Sequence, residues 1–314
     1  MRKTKTMSAE LSASSVVAIV ASYRPDAELV ATVVSLAEQF EHVVIVDDGS
    51  PAEFADRLDA IEATGVRVIR RPRNAGIAAT LNAGIRAAEE SWRPDFFVTF
   101  DQDSVPVDDY ADRALATFRQ ARAAGRRVGF VVASSYSGHA VHVRGNVDGF
   151  AIAFDPMQSG FVIARQTIEA IGHLDEGLVI DGVDSEYTAR ARAAGLDVLV
   201  GAGCDILHQL GRRDPARLFG RPLRVLGHEI SYNYHSPTRV YYIARNGTTL
   251  TRRYLLKDPS WVLRRLSEET KAHVLRLAFS PNRRSIAAAM AAGYRDSFRG
   301  RDGLVPPSLS RRLR

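Results

Sequence analysis

The sequence predicts an α/β fold, a mostly parallel sheet with helices on both faces followed by a basic helical extension, and three observations predict it. From residue 16 onward, short β-branched apolar runs alternate with longer helix-compatible stretches. Polar clusters rich in Asp fall directly after those runs, and beyond about residue 210 the alternation stops and the chain turns Arg-rich.

The runs Val16–Ala21, Val43–Val46, Val66–Ile69, Phe96–Phe100 and Val128–Val132 read as strands buried on both faces. Between them, Asp26–Phe40, Glu53–Ala63, Ala75–Glu90 and Val107–Ala123 carry apolar residues three and four apart, the period of a helix with one buried face. Pro25-Asp26 opens a helix, Gly49-Ser50-Pro51 turns the chain, and Gly65 and Gly125 stand where helices should stop. Short alternating stretches from Tyr136 to Asp155 predict loops and antiparallel strands. Phe161–Ala164 then reads as a strand, Gln166–Ile171 as a short helix and Ser185–Ala194 as a longer one, with amphipathic segments at Trp261–Phe279 and Ser285–Phe298. Three parts are expected: a polar arm over 1–15, an α/β domain over 16–210 and a basic, mainly helical extension over 211–314.

With 314 residues, 46% of them hydrophobic, the chain can bury a full core, which excludes disorder as its ground state. A single cysteine, Cys204, excludes an internal disulfide framework and fits a reducing compartment. The amino terminus is basic but has no apolar stretch long enough for a signal peptide or a spanning helix, so a cytoplasmic location is expected. The net charge of +6 hides an asymmetry: residues 206–314 hold 22 Lys and Arg against 7 Asp and Glu, whereas the first 205 hold 20 against 29. Such a basic third attracts anionic lipid, nucleic acid or a phosphorylated substrate, or is simply a solvated Arg-rich surface.

Ligands of open α/β sheets bind beyond the carboxyl ends of the strands. Ser22-Tyr23, Asp47-Asp48-Gly49-Ser50 and Asp101-Gln102-Asp103 all lie there. Alternate carboxylates at a strand end can chelate a hard cation or divide between metal and ribose, although paired aspartates also cap helices. One carboxylate of the Asp47-Asp48 pair can accept from a pyrimidine N–H, or the cluster is an ordinary Asp-Gly turn. Arg73-Asn74-Ala75-Gly76 opens a helix in a manner suited to phosphate, with Asn74 equally readable as a cap. Asp184, in Gly182-Val183-Asp184-Ser185-Glu186, is placed to cap a helix or to act as a general base. His208 follows an apolar run, as a third metal ligand or as a structural imidazole.

Taken together, these residues resemble family 2 glycosyltransferases of the GT-A fold over roughly residues 16–210, in order. Ser159-Gly160, Leu178–Glu186 and Leu207–Gly211 continue the series, and His235-Ser236-Pro237 with Arg239–Tyr242 and Ala244-Arg245-Asn246 extends it to about Tyr254. The subgroup that it resembles most in appearance is the bacterial rhamnosyltransferases.

Carried over residue by residue, the resemblance implies a nucleotide-sugar donor, dTDP- or UDP-linked, held by Ser22, Tyr23, Asp47, Arg73, Asn74, Asp101 and Gln102. Asp47 would meet the nucleobase and Asp101 the nucleotide sugar or diphosphate. Asp103 and His208 would ligate Mg²⁺ or Mn²⁺, Asp184 would be the base, and Ser159 and Gly160 would meet the acceptor. Val183 stands where other members carry an acidic residue, which leaves Asp181 as a rival base. The implied reaction is inverting transfer, of rhamnose from dTDP-rhamnose, to a glycan or polyprenyl-linked acceptor in cell-envelope polysaccharide synthesis. Peripheral contact with the inner face of the cytoplasmic membrane through the basic carboxyl-terminal region is expected, with no nucleic-acid partner and with homo-oligomerisation left open. Two alternatives compete: a haloacid-dehalogenase-type phosphatase using Asp101 and Asp103, and a non-catalytic nucleotide-sugar-binding protein.

Overall fold

The computed structural model describes residues 16–208, 213–218, 221–225 and 227–313. The expected arm over 1–15 and the expected boundary between 210 and 211 lie outside the described residues.

The first half follows the expected alternation: β1 (Val16–Ser22), α1 (Leu29–Gln39), β2 (His42–Asp47), α2 (Ala55–Glu62), β3 (Arg67–Arg70), α3 (Ile77–Ser91) and β4 (Phe96–Asp101). After a short β5 (Ser104–Pro106) come α4 (Tyr110–Ala123), β6 (Val128–Val132), β7 (Ser135–Tyr136) and β8 (His139–Ala140). The antiparallel hairpin β9 (Val143–Val147) and β10 (Phe150–Ala153) precedes β11 (Phe161–Ala164), α5 (Arg165–Ile171), α6 (Val183–Ala193), β12 (Asp197–Val200) and β13 (Asp205–His208).

A central sheet of nine strands runs in the order β3-β2-β1-β4-β11-β6-β12-β10-β9. Strands β3, β2, β1 and β4 are parallel neighbours, and β12 runs parallel to β6. β11 is inserted antiparallel between β4 and β6. Because successive side chains on a strand face opposite ways, β1 feeds two cores at once. Val16, Ala18 and Val20 share one apolar cluster with Val33 and Leu36 of α1 and with Leu115 and Phe118 of α4. Val17, Ile19 and Ala21 share the other with Leu81 and Ile85 of α3 and Val183 and Tyr187 of α6. Helices on both faces explain why the strands read as unbroken apolar runs.

A second sheet, in the order β5-β13-β7-β8, leans on the carboxyl edge of the first and brings β13 against β5. The extension departs from expectation at its start. Residues 213–233 form short antiparallel pairs, Arg213–Pro215 with Ser231–Asn233, Arg217–Leu218 with Arg221–Pro222, and Arg224–Val225 with His228–Glu229. Arginines three or four apart imitate a helical stripe here, but Pro215 and Pro222 remove the backbone donors that a helix interior needs.

Helices α7 (Pro237–Tyr254), α8 (Pro259–Phe279), α9 (Arg283–Phe298) and α10 (Pro307–Arg312) complete the chain. Ser236 caps α7 by accepting from the Arg239 N–H at 3.3 Å, and Asp258 caps α8 by accepting from the Trp261 N–H at 3.2 Å. Val179, from the segment just before α6, is buried in the same apolar cluster as Val240 and Tyr241 of α7 and Ile286 of α9. The helical extension is thus packed into the domain rather than appended to it. Among the described residues no helix is long and apolar enough to cross a membrane.

Candidate active site

Parallel register sets the carboxyl ends of β2, β1 and β4 side by side, with Ser22 opposite Asp47 and Ala21 opposite Asp101. The three polar clusters expected at that edge therefore meet. Gln102 Oε1 accepts from the Ser22 hydroxyl and from the Tyr23 N–H, each at 3.0 Å, tying the β1 end to the β4 end. Asp48 accepts from Arg71 Nη1 at 2.7 Å and from the N–H groups of Ala75 and Gly76 at 3.0 and 2.8 Å, which shapes the loop before α3.

Beyond β4, the pairing of β13 with β5 sets His208 opposite Ser104. Asp101, Asp103 and His208 each offer a ligand atom within 4.8 Å of one another. His208 Nδ1 lies 3.4 Å from Asp103 Oδ1 and 2.9 Å from the Ser104 hydroxyl. Two carboxylates and an imidazole converging without a basic side chain between them suit Mg²⁺ or Mn²⁺ in donor chemistry and spacing. Burial, reinforced by the charges of Asp103 and Asp184, pushes the Asp101 carboxyl up to about 7. The cluster thus carries unbalanced negative charge that a cation would relieve.

Asp184 sits in the first turn of α6 and accepts from the Ser185 N–H at 2.8 Å. Burial, then the neighbouring Asp155 charge, pushes it up to about 7. A carboxyl that loses its proton near neutrality is suited to general-base work. The segment leading into it is strained. Val179 has φ 66° and ψ −67°, and the Ile180 N–H donates back to the Leu178 carbonyl at 2.8 Å, closing a γ-turn of the rare positive-φ kind. Asp181 is also at positive φ, 62°. Helix α7 restrains this segment: Asn246 Nδ2 donates to the carbonyls of Leu178, Ile180 and Asp181 at 2.7–2.8 Å, and Arg245 Nη2 to those of Gly177 and Leu178.

From the other side the Ile77 N–H donates to the Val179 carbonyl at 2.8 Å, so the start of α3 presses directly on the turn. Gly76 has φ +95°, and a Cβ there would fall 2.3 Å from the Val179 carbonyl oxygen. Gly76→Ala combines a left-handed backbone with that overlap and should destabilise the fold by about 2 kcal/mol or more. Denaturant unfolding checks it, and an unchanged midpoint would mean that the turn yields freely.

A cleft of about 1020 Å³ opens over this edge, lined by Ser22, Tyr23, Asp48, Asn74, Asp101, Gln102 and Asp103 on one side. Thr238, Arg239 and Tyr242 of α7, with Leu304 and Ser310, form the other wall. A smaller cavity of about 260 Å³ lies against Asp103 and His208. The expected donor contacts Ser22, Tyr23, Asn74, Asp101 and Gln102 are therefore on the wall of the larger cleft.

Other expected site residues stand elsewhere. Asp47 is 2% exposed and its carboxylate is closed off by the Ser50 N–H and hydroxyl, so its neighbour Asp48 is the one that reaches the cleft. Arg73 is exposed and does not line the cleft. Ser159, expected at the acceptor, is fully buried: its hydroxyl accepts from the Asp101 N–H and donates to Ser104, bracing the carboxylate and the His208 partner. Gly160 is equally internal, because a Cβ there would fall 2.4 Å from the Tyr110 hydroxyl. Asp181, the rival base, is paired with Arg239, whose Nε and Nη2 lie 3.1 and 3.0 Å from its oxygens.

Sequence reasoning assigned no role to Gln158, whose Nε2 donates to Asp101 Oδ1 at 2.5 Å, or to Arg239 and Asn246. Arg239 and Asn246 stood in the quoted series, but nothing local says that a helix some 60 residues on folds back over the Asp181–Asp184 loop.

Residues 17–163 match the family profile of Glycosyl transferase family 2. The dTDP-rhamnosyl transferase RfbF of Shigella flexneri is 28% identical over 255 residues, covering 76% of this chain and 81% of that protein. Crystal structures of S. aureus TarS are similar over 91% of this chain at 14% identity, each with a TM-score of 0.49. The match spans 55% of one TarS chain and 92% of another, TarS 1–349 in complex with UDP-GlcNAc.

Proposed function

We propose, from the premise that this chain is a glycosyltransferase of family 2, that it transfers rhamnose from dTDP-rhamnose to a hydroxyl acceptor with inversion at the anomeric carbon. The observation that carries this reading is the convergence of Asp101, Asp103 and His208, with Asp101 and Asp103 on the wall of the large cleft and the charge of Asp184 acting on Asp101. Similarity to a dTDP-rhamnosyl transferase supports the sugar and the base of the donor. The profile match includes Asp101 to Ser104, which favours glycosyl transfer over the ester hydrolysis of the phosphatase alternative.

In this reading Ser22, Tyr23, Asp48 and Asn74 receive the nucleoside end, and Asp101 and Gln102 orient the sugar and diphosphate. Asp184 takes the proton of the acceptor hydroxyl as its oxygen attacks the anomeric carbon. The bond from that carbon to the diphosphate oxygen breaks on the opposite side, and its electron pair leaves with the nucleoside diphosphate. One base suffices, since no sugar is parked on the protein. Asp103 and His208, with Asp101, would hold a Mg²⁺ or Mn²⁺ ion, which would supply positive charge to the departing diphosphate. Ser104 and Ser159 keep those ligands aimed.

The acceptor is proposed to be a cell-envelope glycan or its polyprenyl-linked precursor, met at the inner face of the cytoplasmic membrane. Supporting peripheral contact there are Leu256, Leu263, Leu266 and Val274, exposed on the helical surface of the basic third.

Assaying dTDP-rhamnose and a panel of UDP-sugars with and without a chelator tests the reading. Turnover of a nucleotide sugar that stops on chelation is expected. Phosphate-ester hydrolysis without donor turnover would overturn it in favour of the phosphatase.

A further inference from the structure

Arg239 is a cation in an acidic place. It is the one basic side chain lining the large cleft among the described residues, and it faces a wall bearing Asp48, Asp101 and Asp103. Its side chain is 46% exposed, so it is accessible to a ligand. Asp101 and Asp184 both act on its charge, which places it within the field of the metal cluster and of the base.

Its attachment is specific. Asp181 takes Nε and Nη2, the side edge of the guanidinium, and among the described residues Nη1 has no protein partner. Asp181 is itself fixed by Asn246, which donates to its carbonyl at 2.7 Å. One edge of the fork is therefore anchored, while among the described residues Nη1 is left to meet a ligand. Arg239 also lies in the first turn of an 18-residue helix, whose dipole adds partial positive charge at that end. Thr238, its neighbour in that turn, lines the same wall.

A nucleoside diphosphate entering this cleft brings at least two negative charges among carboxylates that one divalent ion only partly offsets. As the sugar departs, more charge gathers on the terminal phosphate, and a fixed planar donor pair matches phosphate oxygens better than a point charge does. We propose that Arg239 binds the terminal phosphate of the leaving nucleoside diphosphate, and that Asp181 is a positioning residue that aims it.

This rests on the glycosyl-transfer reading above, and the test separates the two. Equilibrium binding of dTDP and dTMP, and of UDP and UMP, is measured in Mn²⁺ for the unaltered protein, Arg239→Gln, Arg239→Lys, Asp181→Asn and the Arg239→Gln/Asp181→Asn double variant. Diphosphate affinity should fall about 10- to 100-fold in Arg239→Gln, the size of a lost charge-assisted hydrogen bond, while monophosphate affinity changes about threefold or less. Arg239→Lys should fall between, and Asp181→Asn should weaken diphosphate binding less than Arg239→Gln does. The double variant leaves no orphaned carboxylate and should bind diphosphate as weakly as Arg239→Gln, which covers the case in which the single variant folds poorly. Equal loss for both nucleotides, or loss of thermal stability alone, would make Arg239 a mere counter-ion of Asp181 and overturn the inference. Failure of the unaltered protein to bind any of the four nucleotides would overturn the glycosyl-transfer reading itself, before any variant is compared.

Discussion

Asp184→Asn should lower the transfer rate by about 10²- to 10⁴-fold, the usual contribution of a positioned general base, with nucleoside-diphosphate affinity unchanged. The amide keeps the shape of the side chain in the first turn of α6 and the contact with the Ser185 N–H, but it cannot accept a proton. In the unaltered protein only the ionised form works, so with Asp184 at about 7 the rate should rise as pH increases through neutrality. A rate that falls across that interval, or substantial turnover by the asparagine variant, would remove Asp184 from the role of base. Folding supplies an independent check in chelator. The unfolded chain gives up this proton near the ordinary 3.8, whereas the folded chain keeps it until about 7, so Asp184 withdraws stability as pH rises across that window. Asp184→Asn is therefore expected to melt at a higher temperature than the parent at pH 8, while losing activity.

Asp103→Asn and His208→Ala should fail differently. Asp103→Asn replaces a charged ligand group by a neutral amide and His208→Ala deletes one, in a cluster whose ligand atoms lie within 4.8 Å of one another, so metal-supported nucleotide binding and turnover are lost together, the rate by about 10²-fold or more. Titrating Mn²⁺ into protein with dTDP distinguishes the cases: Asp184→Asn keeps the metal-linked affinity, and the ligand variants lose it. Undiminished metal dependence in Asp103→Asn would dissolve the proposed centre. His208→Ala also deprives the Ser104 hydroxyl of a partner, but Ser104 still accepts from Ser159, which should keep β5 and β13 in place.

The half of the fold built from β1 to β6 was legible because β1, β2, β4 and β6 are buried on both faces and each helix on one, and burial writes those periods into local sequence. The strand-end rule placed the polar clusters at one edge of the sheet, and Asp101, Gln102 and Asp103 line the cleft there. What stayed hidden depends on partners distant in the chain. Adjacent Asp47 and Asp48 are indistinguishable until one is seen closed off by Ser50 and the other bordering the cleft. Ser159 has the composition of a binding residue, yet its hydroxyl is consumed 55 and 58 residues away, by Ser104 and Asp101. The antiparallel insertion of β11 is invisible to periodicity, since an apolar run carries no direction. The short antiparallel pairs between 213 and 233 fall in a stretch expected only as part of a mainly helical extension, where Pro215 and Pro222 are residues that a helix interior does not favour.

The γ-turn at Val179 also has a bearing on how the chain matures. Domains generally fold as units from the amino end during synthesis, and β1 to β4 can assemble early because they are mutual neighbours in the sheet. The turn cannot settle then. Its unfavourable backbone is restrained by Asn246 and Arg245, which emerge more than sixty residues after it, and its Val179 side chain is buried in one cluster with Ile286 of α9. On the growing chain the β1–β4 edge can therefore form before the Val179 turn is restrained, which waits for α7 to dock.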